Sequence, residues 1–176
     1  MLDVVEKVLV SESQIIDKCK ELGKQISEDY KGDVPICIGL LKGSVPFLAE
    51  LIKNISINIE IDFMDVSSYS GTEQKDVRII KDLETPIRGK RVLIVEDIVD
   101  TGRTYVKVKE LLMAKGAKEV KIVSLLDKKE RREVNVVPDY IGFEIPDEFV
   151  IGFGLDYNEK YRNLPCIGVI KQSEIK

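Results

Sequence analysis

The sequence contains no histidine. That absence removes Ser-His-Asp and Cys-His nucleophilic catalysis, together with the usual zinc-ligand sets. Proton transfer or metal binding must then rest on Asp, Glu, Lys or Tyr, and a metal held by carboxylates and phosphates is Mg²⁺ sooner than a transition ion. Cysteine is scarce: Cys19, Cys37 and Cys166 are far apart, odd in number and never in a Cys-x-x-Cys arrangement. This fits reduced thiols in the cytoplasm, serving as small core residues. No apolar run approaches the length of a membrane span, and "MLDVVEKVLV" carries Asp3, Glu6 and Lys7 where a secretory signal or anchor needs an apolar centre. Basic charge is also short, with 27 Lys and Arg against 31 Asp and Glu, for a net charge of -4. A general nucleic-acid-binding surface is therefore not expected, although a local basic patch is compatible with this balance.

What is present is an ordinary globular composition: 176 residues, 44% hydrophobic and 33% charged, which suits one domain over residues 1–176 with a genuine core. Ser11 followed by Gln14 reads as a capping box, and Ile15, Cys19, Leu22 and Ile26 recur at helical spacing. The first helix is predicted from Glu12 to Tyr30, ending near Gly32. "ICIGLL" is a continuous apolar run, as in a strand buried on both faces; "KGS" interrupts it, and "VPFLAELIKNI" resumes with helical spacing. "INIEIDFMDV" and "DVRIIKDL" read as strands, joined by the polar "VSSYSGTEQKD", whose length marks a mobile functional loop. "KRVLIVED" is the most buried-looking strand. The helix after it, Arg103 to about Lys115, places Val108, Leu111 and Leu112 on one side and stops at Gly116, where a left-handed cap is available. "EVKIVSLLD", "YIGFEI" and "FVIGFGL" follow as strands. Alternating strands and helices with apolar central strands predict an α/β domain built on a mainly parallel sheet flanked by helices.

In such sheets ligands sit outside the carboxyl ends of strands, and there the chain places "VLIVEDIVDTGRT". "DTGRT" then becomes a strand-to-helix loop whose backbone N–H groups, hydroxyls and helix amino terminus suit a phosphate. Carboxylates just upstream would repel that phosphate unless they serve something else. Glu96 and Asp97 suit sugar hydroxyls or a divalent ion, and Asp100 is free for proton transfer. An isolated Asp-Thr-Gly would read as a helix cap with solvated charge, and a receiver-type phosphoacceptor site also clusters acids at strand ends. The continuous order of apolar strand, Glu-Asp, two apolar residues and Asp-Thr-Gly-x-Thr is more specific than either.

That stretch resembles the signature by which type I phosphoribosyltransferases bind 5-phosphoribosyl-1-pyrophosphate. "LLKGSVPFLAEL", "SLLDKK" and "PDYIGFEIPDEFVIGFGLDYNEKYRNLP" narrow the resemblance to the hypoxanthine-guanine branch, over about Ile36 to Leu164 and in the family's order. The resemblance implies the type I phosphoribosyltransferase fold, with a small hood formed from the terminal segments. The implied reaction moves a 5-phosphoribosyl group to N9 of hypoxanthine or guanine, giving IMP or GMP and releasing pyrophosphate. It implies Asp100 as general base toward purine N7, Glu96 and Asp97 at the ribose hydroxyls and Mg²⁺, and Thr101, Gly102, Arg103 and Thr104 as the 5′-phosphate cradle. Lys128 matches the donor to the purine 6-oxo group, Phe149 the aromatic stacked on the purine, and Val150 a backbone contact to its edge. Asp156 matches the carboxylate near a second metal and pyrophosphate, Arg162 the arginine that grips pyrophosphate, and Lys42 with Gly43 the first pyrophosphate loop. Ser68 and Tyr69 match the recognisable pair of a lid over the reaction.

Charge density alone would make Lys128 one more cation of the solvated "DKKERR" run, and Phe149 alone would read as core. Chemically, an ammonium rewards an exocyclic oxygen and rejects an amine, which separates 6-oxopurines from adenine. Arg103 stands where a lysine is often found, and the lid lacks the repeated Thr-Ser pattern of some bacterial relatives. A regulatory protein that senses nucleotides and binds RNA through this fold is an alternative, but it would be expected to show a broad basic face. A xanthine-preferring transferase stays open. The expected partners are the phosphoribosyl donor, 6-oxopurine bases and pyrophosphate, with neither nucleic acid nor membrane, in a homodimer or homotetramer.

Overall fold

A computed structural model of the chain describes residues 2–68 and 77–175. The capping box forms as the sequence predicts: Gln14 N donates to Ser11 Oγ, and Ser11 N donates to Gln14 Oε1 at 2.8 Å. It opens helix α1 (Glu12–Asp29), which buries Ile15, Cys19, Leu22 and Ile26. Strand β2 (Ile36–Leu41) and helix α2 (Val45–Ile52) follow, then strands β3 (Glu60–Ser68) and β4 (Val77–Lys81). Strand β5 (Arg91–Val99) leads into helix α3 (Arg103–Ala114), which stops before Gly116 at φ 91°. Strands β6 (Glu119–Asp127) and β7 (Tyr140–Glu144) complete the main sheet.

That sheet has the order β4-β3-β2-β5-β6-β7, parallel except for β4. The continuous apolar runs follow from cover on both faces. Cys37, Leu93, Val95, Val123 and Leu125 share a core cluster with α1 and α2, whereas Ile36, Ile38, Ile94 and Ile122 share one with Val108 and Leu112 of α3. The chain runs from β2 outward to β3 on one side and resumes on the other side with β5, so the strand order reverses between β2 and β5. Ligand crevices of parallel sheets open at such a reversal.

The sequence reading did not assign β1 (Val5–Val10) or β9 (Ile167–Ile170), which pair antiparallel with each other. With β8 (Val150–Ile151) they make a second, three-stranded sheet, order β1-β9-β8, at the position the hood was expected. "FVIGFGL" gives only the two residues of β8, because Gly152 and Gly154 (φ 101° and 104°) and Phe153 (φ 46°) turn the chain out of the strand. The hood is not a separate body: Val10, Val150, Leu155 and Ile167 belong to the same core cluster as α1 and α2.

Candidate active site

Four connections leave the carboxyl ends of adjacent strands and bring most of the candidate residues together. Lys42 and Gly43 follow β2, Asp100 to Thr104 follow β5, Lys128 follows β6, and Phe149 lies between β7 and β8. Glu96 and Asp97 sit inside β5, near its carboxyl end, rather than beyond it, held in register by pairing of Glu96 with Ser124 and of Ile98 with Leu126. The loop after β2 meets the Asp97 side chain here: a Cβ on residue 43 would fall 1.7 Å from Asp97 Oδ2, so any other residue would have to displace that carboxylate. The Leu41–Lys42 peptide is cis.

The Glu96 and Asp97 carboxyls are partly buried. Burial pushes the Glu96 carboxyl well above the ordinary carboxylate range, and the neighbouring Asp97 charge adds to the shift. Burial also raises Asp97, partly offset by the Ile98 N–H at 2.8 Å and by Arg162. Adjacent carboxyls of this kind retain a proton unless a cation balances them. Glu96 Oε2 is sealed from solvent without a hydrogen-bond partner among the described residues. Such a pair fits a hard cation bound through one or two carboxylates, with the remaining oxygens supplied by substrate. No group of three or more ligating side chains occurs among the described residues.

Beyond β5, Gly102 takes φ 81° as the residue before α3, and no side chain caps that helix. Arg103 N reaches Thr101 Oγ1 at 3.4 Å, and Val106 N bonds to Gly102 O at 3.2 Å. A cavity of about 90 Å³ opens here, lined by Glu96, Asp100, Thr101, Gly102 and Thr104 over Val99 and Tyr105. An uncapped helix amino terminus facing a small cavity suits an anion of phosphate size. The Arg103 side chain turns aside to Glu133, 2.5 Å away.

Lys128 is not a solvated cation. It is 6% exposed, and its backbone N donates to Val99 O at 3.0 Å, which fastens the end of β6 to the end of β5. Phe149 is 48% exposed and meets Tyr157 edge-on, with ring centroids 5.7 Å apart, so it is not a core residue. Val150 is buried at the start of β8.

Across the crevice Arg162 lies 2.9 Å from Asp156, and its Nη1 donates to Gly154 O at 2.7 Å. Arg162 Nε is buried without a partner among the described residues. Glu159 bridges the two cations expected at pyrophosphate, 2.9 Å from Lys42 and 3.3 Å from Arg162. The sequence reading missed Glu159, Arg131, Glu133 and Asp147, all of which pair with candidate residues. Arg131, Glu133 and Asp147 carry no spacing signal, because each meets its partner across connections between different elements, and Glu159 reaches Lys42 in the same way although it is also three residues from Arg162. Ser68 ends β3, and Tyr69 and the rest of the expected lid lie outside the described residues.

The phosphoribosyl transferase domain family matches residues 8–158. The chain belongs to the phosphoribosyltransferase family. Within that family it is similar to proteins named hypoxanthine-guanine or hypoxanthine phosphoribosyltransferase. It is 58% identical over 95% of its length to the hypoxanthine-guanine phosphoribosyltransferase of Lactococcus lactis, covering 92% of that protein. Hypoxanthine phosphoribosyltransferase from Staphylococcus aureus superposes with a TM-score of 0.95 at 48% identity, over 98% of this chain and 95% of that one. The Trypanosoma cruzi hypoxanthine phosphoribosyltransferase, in complex with the product IMP, gives 0.94 at 38% identity over 99% and 98% of the two chains. The α/β architecture with a mostly parallel sheet is thus that of this enzyme family.

Proposed function

We propose that this phosphoribosyltransferase transfers the 5-phosphoribosyl group of 5-phosphoribosyl-1-pyrophosphate to N9 of hypoxanthine or guanine, forming IMP or GMP and pyrophosphate in purine salvage. The observation that carries the reading is Lys128: a buried ammonium at the end of β6, one strand away from the carboxylates and phosphate cradle of β5. A cation in that place rewards a 6-oxo group and penalises a 6-amino group.

In this reading Thr101, Gly102, Arg103 and Thr104 hold the 5′-phosphate at the amino terminus of α3. Glu96 and Asp97 bind the ribose hydroxyls and, with Asp156 on the pyrophosphate side, would hold Mg²⁺. That ion would supply positive charge to the departing pyrophosphate. Lys42, Gly43 and Arg162 receive the same leaving group, and the unpartnered Arg162 Nε supports this assignment. Phe149 stacks on the purine through its exposed ring, Val150 meets the purine edge through its backbone, and Asp100 accepts the proton at N7 as the N9 bond forms. Ser68 and Tyr69 belong to the segment that would close over the oxocarbenium-like sugar and exclude water. The three buried free cysteines support a cytoplasmic location. We assign a homodimer or homotetramer as the assembly.

The test is an ultraviolet assay of the purified protein with donor and Mg²⁺ against hypoxanthine, guanine, xanthine and adenine. Turnover of hypoxanthine and guanine is expected, with adenine refused. Failure with both 6-oxopurines would overturn the reading.

A further inference from the structure

A chain of four charges runs across the carboxyl edge of the sheet. Lys128 Nζ lies 3.8 Å from Asp147 Oδ1, the same oxygen lies 3.6 Å from Arg131 Nη1, and Arg131 Nε lies 3.1 Å from Asp100 Oδ1. Its two ends are the groups assigned to the purine oxygen and the purine proton. Its two middle members have no part in that assignment.

The distances suit a positioning device. Lys128 is 6% exposed, and an ammonium so buried is costly unless an opposite charge balances it. Asp147 provides that charge from 3.8 Å, beyond hydrogen-bond reach. The charge is thereby balanced while the three N–H donors stay available, and no hydrogen bond among the described residues uses them. Arg131 then faces Asp147 with Nη1 and Asp100 with Nε, as ion pairs without a hydrogen bond, since Asp100 Oδ1 is sealed from solvent and has no hydrogen-bond partner among the described residues. A rigid planar fork holds two carboxylates in fixed directions in this way, whereas an ammonium on a flexible stem does not. The backbone sets the fork close by, because Arg131 N donates to Lys128 O at 3.2 Å in the 3-10 turn Lys129–Arg131. Side chains of Arg131, Asp100 and Asp147 are 48%, 38% and 50% exposed, and ion pairs that wet contribute little to stability.

We propose that Asp147 and Arg131 are positioning residues that tie the Lys128 ammonium to the Asp100 carboxylate, so that recognition of the 6-oxo group and acceptance of the N7 proton are set as one unit. This rests on the reading of Lys128 and Asp100 given above. Binding of the donor, on the other side of Asp100, does not depend on the link.

The experiment compares the wild type with Asp147→Asn, Asp147→Glu, Arg131→Gln, Arg131→Lys and the Asp147→Asn/Arg131→Gln pair. It reads kcat and KM for hypoxanthine, guanine and the donor, together with thermal midpoints. Asp147→Asn and Arg131→Gln should each lower kcat/KM for both bases by about tenfold or more, since a small misplacement of reacting groups is costly. Donor KM should move less than about twofold, and midpoints by no more than about 4 °C. Asp147→Glu, which keeps the charge, should recover much of the loss. Arg131→Lys should not, because an ammonium on a flexible stem does not fix the directions of both carboxylates. The double variant should lose less than the product of the two single losses, as members of one chain do. Wild-type base kinetics in both single variants would overturn the proposal, as would equal damage to base and donor KM. A wild type inactive on both bases would instead sink the functional reading from which the proposal starts.

Discussion

Gly154 joins the hood to the pyrophosphate loop, and replacing it with alanine tests that joint. Its φ of 104° lies in a region that side chains rarely adopt, and a Cβ there would fall 1.9 Å from Gly43 O and 3.2 Å from Pro46 Cδ. The backbone penalty is about 1–3 kcal/mol. Relieving the collision to ordinary contact at 3.4 Å requires the two backbones to part by 1.5 Å (3.4 minus 1.9), since neither partner is a flexible side-chain end. Overpacking of that kind adds about 1–3 kcal/mol. The total, about 2–6 kcal/mol, should lower the thermal midpoint by roughly 10 °C for a chain of this size. Displacing the Lys42–Gly43 loop by more than an ångström should cut turnover by about 100-fold. Gly32→Ala is the control, because φ is 82° with nothing within 4 Å, at the opposite end of the sheet. It incurs only the backbone penalty of about 1–2 kcal/mol and should retain wild-type kinetics. Scanning calorimetry and steady-state assays on both variants decide the matter: equal midpoints and equal kinetics would refute the reasoning.

Other expectations follow from single contacts. Asp100→Asn should lower kcat by about 100-fold or more while donor affinity, measured by calorimetric titration, stays within about twofold. Asp62 is buried, which by itself raises its pKa, but the N–H groups of Thr85, Phe63 and Glu84 outweigh burial and leave it lowered. A carboxyl depressed in the folded state gives stability that is fully present above its unfolded pKa of about 3.9 and is lost as pH falls through the folded value. Denaturant titrations should therefore show Asp62→Asn to be less stable at neutral pH, and the gap to the wild type should narrow below about pH 4. Burial pushes the Cys19 and Cys37 thiols up to about 12, so neither should react with Ellman's reagent at pH 8 until the protein unfolds.

Much of this molecule was legible before any coordinates, and the reason is local. The Ser11–Gln14 capping box, the apolar faces of α1 and α3 and the continuous runs of β2, β5 and β6 are each specified within a dozen or so residues. The crowd of charge after "VLIV" resolves into functional positions for the same reason, because a single strand-loop-helix carries Glu96, Asp97, Asp100 and the phosphate cradle.

What sequence alone did not yield depends on partners remote in the chain. β1 is a strand only because β9, more than a hundred residues later, supplies its hydrogen bonds, and "FVIGFGL" is mostly a turn because its glycines pack against distant backbone. "DKKERR" divides in the same way. Arg132 pairs with the buried Asp127, Lys128 is buried, and Arg131 reaches Asp100 and Asp147. Charge density along a sequence cannot distinguish these fates, since a cation's environment is set by which carboxylates the fold places opposite it. The sequence by itself determined the elements and the chemical identity of the donor loop. Tertiary structure decided which charges are buried, which are paired and which are free to meet a ligand.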